Sequence, residues 1–140
     1  MRFIDASVFL YAFLKPRRSV PKEVQSLKEY AKNIIARIDN YEEEVVTTVV
    51  HLSEVANILE THLSKTKSID YIEAILGKQS IHVYDVDPGS YTEAVLKARE
   101  YGIGVNDALA IVYMERLGIN EIYSFDKDFD KIDWVKRIYK

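Results

Sequence analysis

The sequence predicts an α/β fold: a three-layer α/β/α sandwich built on a central, mostly parallel sheet of about five strands. Three observations lead there. Short strand-like runs alternate along the chain with stretches of helical period, the pattern of strands joined by helical crossovers. The run "EVVTTVV" (44–50) is β-branched and apolar rather than alternating, as in a strand covered on both faces. Two helical stretches, "VFLYAFL" (8–14) and "NDALAIVYMERLG" (106–118), are apolar nearly all round, so they are buried. A length of 140 residues, with no repeat and no Gly/Ser linker, predicts one domain over residues 1–140.

The elements follow in order. "RFIDAS" (2–7) is a short strand running into the buried helix "VFLYAFL". "KPRRSVP" (15–21) carries two prolines and is a loop. In "KEVQSLKEYAKNIIARID" (22–39), Val24, Leu27, Ala31, Ile34, Ile35 and Ile38 recur at spacings that make an amphipathic helix. After the strand at 44–50, "LSEVANILETHLSK" (52–65) returns to helical period, and "IDYIEAILGK" (69–78) is a shorter helix ending near Gly77. "SIHVYDVD" (80–87) is a strand. "PGSYTEAVLKAREYG" (88–102) opens on Pro88 and closes on Gly102, the usual helix asymmetry. "NDALAIVYMERLG" closes at Gly118; "NEIYSF" (120–125) and "WVKRIY" (134–139) are the last strands.

Composition narrows the function classes. Hydrophobic residues make up 48% of the chain, enough for an ordinary core. A net charge of -3 argues against a broadly basic nucleic-acid coat, though not against nucleic acid met through a metal and a local basic patch. There is no cysteine, hence neither a disulfide framework nor a thiolate metal site, which suits the cytoplasm. No apolar run reaches the roughly 18 residues of a membrane span. The opening "MRFIDASVFLYAFL" is interrupted by Asp5 and followed by "KPRR", so it reads as a strand and helix rather than a leader.

The acids carry the chemistry. Ligands of open parallel sheets sit beyond the carboxyl ends of the strands. Asp5 ends the first strand, Asp126 follows "NEIYSF", Glu54 comes early in the helix after "EVVTTVV", and Asp107 opens the buried helix. Parallel strands would bring all four to one edge. Two like charges about 5 Å apart repel by roughly 3 kcal/mol at an effective dielectric of 20. Such a cluster therefore binds protons or a cation, and an all-oxygen set suits Mg²⁺ or Mn²⁺. A divalent ion there would serve phosphodiester hydrolysis.

Each acid also has a plain structural reading: Asp5 as a helix N-cap, Asn106 and Asp107 as a cap pair, Glu54 as a solvated helix residue, Asp126 as a turn residue. Asp126, Asp128 and Asp130 mimic the opening of an EF-hand, but its glycine position holds Lys131 and its closing position Arg137, which excludes calcium of that type. Asp128 is left as a turn residue or outer helper. His51, His62 and His82 show no metal spacing, and His51 reads as a structural or surface residue. Lys15, Arg17 and Arg18 form the one dense basic loop, a candidate RNA contact with an equally good reading as a solvated loop.

Four stretches in order, "FIDASVFLYAF", "HLSEVANIL", "AREYGIGVNDALAIVYMERLG" and "EIYSFDKDFDKIDWVKRI", resemble the motifs of PIN-domain ribonucleases, most closely the VapC toxins of VapBC toxin–antitoxin pairs. The resemblance implies a catalytic, metal-binding set of Asp5, Glu54, Asp107 and Asp126 holding Mg²⁺ or Mn²⁺, with Ser7 and Asp128 beside it and Ser124 positioning Asp126 or a water. It implies an RNA substrate, a homodimer and a VapB-type antitoxin. The alternatives are a housekeeping RNA-processing PIN nuclease, and a non-catalytic PIN-like or receiver-like interaction domain; a receiver needs an acidic pair after the first strand, where Asp5 stands alone.

Overall fold

Every described strand is only three or four residues long, and two of them end on or lead directly into a residue that caps the next helix. The computed structural model describes residues 1–15 and 20–140. The elements are β1 (Arg2–Ile4), α1 (Ala6–Phe13), α2 (Lys22–Asp39), β2 (Val45–Thr48), α3 (Val49–His62), α4 (Lys65–Leu76), β3 (Ile81–Tyr84), α5 (Pro88–Tyr101), α6 (Val105–Leu117), β4 (Glu121–Tyr123), a 3-10 turn (Lys127–Lys131) and β5 (Lys136–Ile138). The five strands form one sheet in the order β3-β2-β1-β4-β5, and every pairing is parallel. The expected α/β sandwich is therefore present, with a wholly parallel sheet.

Side-chain alternation along the strands builds two cores. Phe3, Val46 and Ile122 face α5 and α6, while their neighbours Ile4, Val45 and Tyr123 face α1–α4. Helix α6 is buried without a break from Ala108 to Met114, which accounts for its apolar sequence on all sides. Truncating one of these, such as Leu109→Ala, removes contacts worth about 3 kcal/mol.

Several strand ends fall earlier than the sequence patterns predict, for one reason. A polar side chain captures the free N–H groups of the next helix. Thr48 ends β2 and caps α3 by accepting from the His51 N–H, so Val49 and Val50 are helical despite their β-branching. Asp5 ends β1 and accepts from the Ala6 N–H. Asp87 accepts from the Ser90 N–H and sets Pro88 at the start of α5, which shortens β3 to four residues. Ser64 likewise starts α4 at Lys65, ahead of the expected apolar period. Helix α6 has no side-chain cap: Gly104 is its N-cap, so Asn106 and Asp107 lie inside the first turn and are not a cap pair.

The strand order places β1 at the point where connections diverge, toward β2 on one side and β4 on the other. A crevice at the carboxyl ends of β1 and β4 is where such sheets bind ligands. No described helix is long and apolar enough to cross a membrane.

Candidate active site

Asp5 leaves β1 into this crevice and is 5% exposed. Its Oδ1 accepts the Ala6 N–H at 2.9 Å, and its Oδ2 accepts the hydroxyls of Ser7 at 3.0 Å and Ser124 at 2.8 Å. Each hydroxyl in turn accepts a backbone N–H: Phe125 at 3.2 Å on Ser7 and Asp126 at 3.0 Å on Ser124. The two serines thus repeat one device. They donate to the same carboxylate oxygen and hold the backbone just beyond β4 against the end of β1. Asp5 is a cap, as its plain reading has it, and also the anchor of the segment that carries Asp126.

Asp126 caps the 3-10 turn by accepting from the Asp128 N–H at 2.9 Å. Asp107 meets this segment from the first turn of α6, where the helix dipole favours negative charge. Asp107, Asp126 and Asp128 each offer a carboxylate oxygen within 4.8 Å of the others, a donor set that suits a hard divalent cation. Burial, a hydrogen bond with Asp126 and the charges of Asp5, Asp126 and Glu54 push the Asp107 carboxyl up to about 8. A carboxyl that resists ionisation among other carboxyls shares a proton with its neighbour or awaits a cation.

Glu54 comes from the second turn of α3 and is half-buried. Its carboxyl is also raised, by burial first and then by Asp5 and Asp126, against the opposing effect of a hydrogen bond from the Asn106 side chain. Asn106, read from the sequence as half of a cap pair, is instead a junction. Its Oδ1 accepts the Tyr91 hydroxyl at 3.1 Å, and its carbonyl lies 3.0 Å from His51 Nε2. That contact assigns the ring proton to Nε2 and leaves Nδ1 to accept the Thr48 hydroxyl at 2.7 Å. Burial holds the His51 pKa down, against the pull of Asp5 and the Asn106 carbonyl, so the neutral ring ties α3 to α6. His51 is structural, and it is buried rather than on the surface. The available signal for Asn106 was its place in the same helical turn as Asp107.

The structure thus gathers Asp5, Glu54, Asp107 and Asp126 at one edge, with Ser7 and Ser124 beneath them. Asp128 lies closer to Asp107 and Asp126 than its reading as a turn residue or outer helper suggests, while also pairing with Lys131 at 3.3 Å. Asp5 and Glu54 act on Asp107 through their charge but lie outside the 4.8 Å triad. Lys15 is exposed just past α1, whereas Arg17 and Arg18 lie outside the described residues.

The chain belongs to the PIN-domain family, whose model matches residues 2–135. It is similar in structure to Mycobacterium tuberculosis VapC20, described as a Sarcin-Ricin loop cleaving toxin, with a TM-score of 0.70 and 21% identity over 93% of each chain. It is also similar to a chain of a toxin-antitoxin complex from Klebsiella pneumoniae, with a TM-score of 0.64 and 12% identity, covering 97% of this chain and 96% of that one. A sequence comparison with curated proteins finds no match.

Proposed function

We propose that this PIN domain is a metal-dependent endoribonuclease that hydrolyses RNA phosphodiester bonds in the cytoplasm, as the toxin of a toxin–antitoxin pair. The observation that carries the reading is the approach of Asp107, Asp126 and Asp128 oxygens to within 4.8 Å of one another at the crevice, beside Asp5 and Glu54; burial and these acidic neighbours push the Asp107 carboxyl up to about 8. Capping accounts for Asp5 and Asp126 one at a time, but it does not account for Glu54 and Asp107 crowding against them at the same edge. The donor chemistry fits Mg²⁺ or Mn²⁺ held by Asp107 and Asp126, with Asp5, Glu54 and Asp128 around them. A divalent ion bound there supplies Lewis-acid polarisation of a phosphoryl oxygen and a more acidic water.

The chain's own residues do the rest. Asp107, whose carboxyl is pushed up to about 8 by burial and its acidic neighbours, would be held charged by a cation bound there. Ser124 and Ser7 fix the backbone that aims Asp126. Glu54, kept in place by Asn106, is a half-buried carboxylate able to take a proton from a water near the phosphate.

Two surfaces suit the expected partners. A groove of about 680 Å³ between α1, α2 and α3 is lined by Leu10, Leu14, Val24 and Ile58 and rimmed by Lys15 and Lys28. It suits an apolar antitoxin segment with acidic flanks. On α4, Ile69 and Leu76 are 61% and 59% exposed and share a face, a contact suited to a homodimer. A monomer by light scattering at micromolar concentration would count against the dimer.

The reading is tested with purified protein and RNA. EDTA should abolish cleavage, and Mg²⁺ or Mn²⁺ should restore it. Full cleavage after exhaustive chelation would remove the metal mechanism, and absence of cleavage in every metal would remove the nuclease.

A further inference from the structure

Tyr139 and Lys140 follow β5 directly, so they sit at the same edge of the sheet as the carboxylates. The Ile138 carbonyl accepts the Ser124 N–H at 3.1 Å, two residues before Asp126. This corner is therefore one strand spacing, about 4.8 Å, from the backbone that carries the acids. Tyr139 is 39% exposed, and its ring centroid lies 6.2 Å from that of Tyr30 on α2, with the planes at 58°.

Two cations attend these rings and behave differently. The Arg137 guanidinium lies 5.2 Å from the Tyr139 centroid; Asp130 accepts from its Nε and Nη2 at 2.9 and 3.1 Å, and the Ser124 carbonyl accepts from Nη1 at 3.4 Å. It is pinned, and it ties the aromatic corner to the loop bearing Ser124 and Asp126. Lys140 Nζ lies 5.8 Å from both tyrosine rings. Six cations lie over tyrosine rings among the described residues: Arg2, Arg37, Lys78, Arg116, Arg137 and Lys140. Five of these pair with carboxylates, and among the described residues Lys140 alone does not. An exposed ammonium without a counter-ion, over an exposed aromatic ring and beside an acidic crevice, matches the two needs of single-stranded nucleic acid: a stacking face and a phosphate partner.

We propose that Tyr139, Tyr30 and Lys140 form a subsite for an unpaired nucleotide of the substrate RNA, the base stacking on Tyr139 and the adjoining phosphate taking the Lys140 ammonium. The subsite rests on the reading of the chain as a ribonuclease and extends it to where the strand is held. Stacking needs an open base face, so the bound nucleotide is unpaired, and every base offers such a face, so the subsite is tolerant of sequence. In a chain of net charge -3, the cation also offsets repulsion between the phosphates and the carboxylate edge.

The test uses a short fluorescently labelled oligouridylate and the full chain silenced by Asp126→Asn. Tyr139→Leu should weaken binding about tenfold, and Tyr139→Trp should retain it. Lys140→Ala should weaken binding a few-fold and reduce the salt slope by about 0.7. In the active chain, Tyr139→Leu should raise KM and leave kcat unchanged, as expected for a contact made equally before and during the reaction. Binding of a fully paired duplex should not respond to Tyr139→Leu. Lys140 is exposed, so its variant decides the matter should Tyr139→Leu fail to fold. Unchanged affinity in Tyr139→Leu and Lys140→Ala, with RNA still cleaved by the unmodified chain, would overturn the subsite and leave the nuclease standing. No RNA binding by the silenced chain and no cleavage by the active one would overturn both.

Discussion

The two ends of the sheet both collect acids, and they treat them in opposite ways. At the amino-terminal end, Glu43 faces Arg2 at 3.3 Å and Arg37 at 3.4 Å, and it accepts the Tyr123 hydroxyl at 2.6 Å. Glu121 adds a contact to Arg2 at 3.6 Å. Arg2, Arg37, Glu43 and Glu121 each have an opposite neighbour there. At the carboxyl end, Asp5, Glu54, Asp107 and Asp126 have no cation partner among the described residues, while their neighbours Asp128 and Asp130 meet Lys131 and Arg137. The first cluster closes the sheet. The second leaves negative charge unanswered, which costs stability unless something else neutralises it.

The sharpest way to break this contrast is to remove acids one at a time from each end. Asp107→Asn or Asp126→Asn should reduce RNA cleavage on the order of a hundredfold or more, beyond what loss of an outer-sphere partner costs. Steady-state kinetics checks this, and near-normal turnover in either variant would remove that residue from the site.

At the opposite end the effect should appear in stability. Glu43→Ala leaves the Tyr123 hydroxyl without its acceptor and takes the shared carboxylate from Arg2 and Arg37, which keep only the Tyr123 oxygen and, for Arg2, Glu121. It should destabilise the fold by about 2 kcal/mol, less than for a fully buried pair because the cluster is partly exposed. Chemical denaturation measures the loss, and the specific activity of the folded fraction should be unchanged.

A smaller effect sharpens the comparison through pH. The Asp107 carboxyl is raised from the ordinary 3.8 to about 8. Stability from its protonated form is fully present below about pH 4 and is lost as pH rises toward 8. Metal-free protein should therefore lose about 1 kcal/mol between pH 5 and pH 8, well below the full shift because water and salt screen an open crevice. Asp107→Asn should flatten that slope and be about 1 kcal/mol more stable than the unmodified chain at pH 8. Melts with EDTA at both pH values decide; a steeper loss in the variant would contradict the crowding. The smallest effect belongs to Asp128→Asn, whose carboxylate is already shared with Lys131: about fivefold weaker Mn²⁺ binding by calorimetry, with the fold intact.

Much of this was legible in the sequence, and the illegible part has a pattern. Strand and helix order follow from the apolar runs, and Asp5, Glu54, Asp107 and Asp126 stand out because each sits where a strand ends or a helix begins. What periodicity does not carry is local capture of the backbone by side chains. Val49 and Val50 look like strand but are helical because Thr48 caps α3. Asp128 looks like a solvated turn but reaches the cluster because Asp126 folds the next residues into a 3-10 turn. Asn106 looks like a helix cap, but its role comes from Tyr91, His51 and Glu54, which only the folded chain brings together. The paired amino-terminal cluster was equally invisible: Arg2 and Tyr123 are far along the chain from Arg37 and Glu43, and the four have no motif.

The central claim is that the unpaired carboxylates, and not the paired ones, await a cation. Anomalous diffraction from a crystal soaked in Mn²⁺ tests it directly. A peak about 2.1 Å from carboxylate oxygens of both Asp107 and Asp126 is the predicted result. No peak at the carboxyl end of the sheet, or a peak at Glu43 and Glu121 instead, would contradict it.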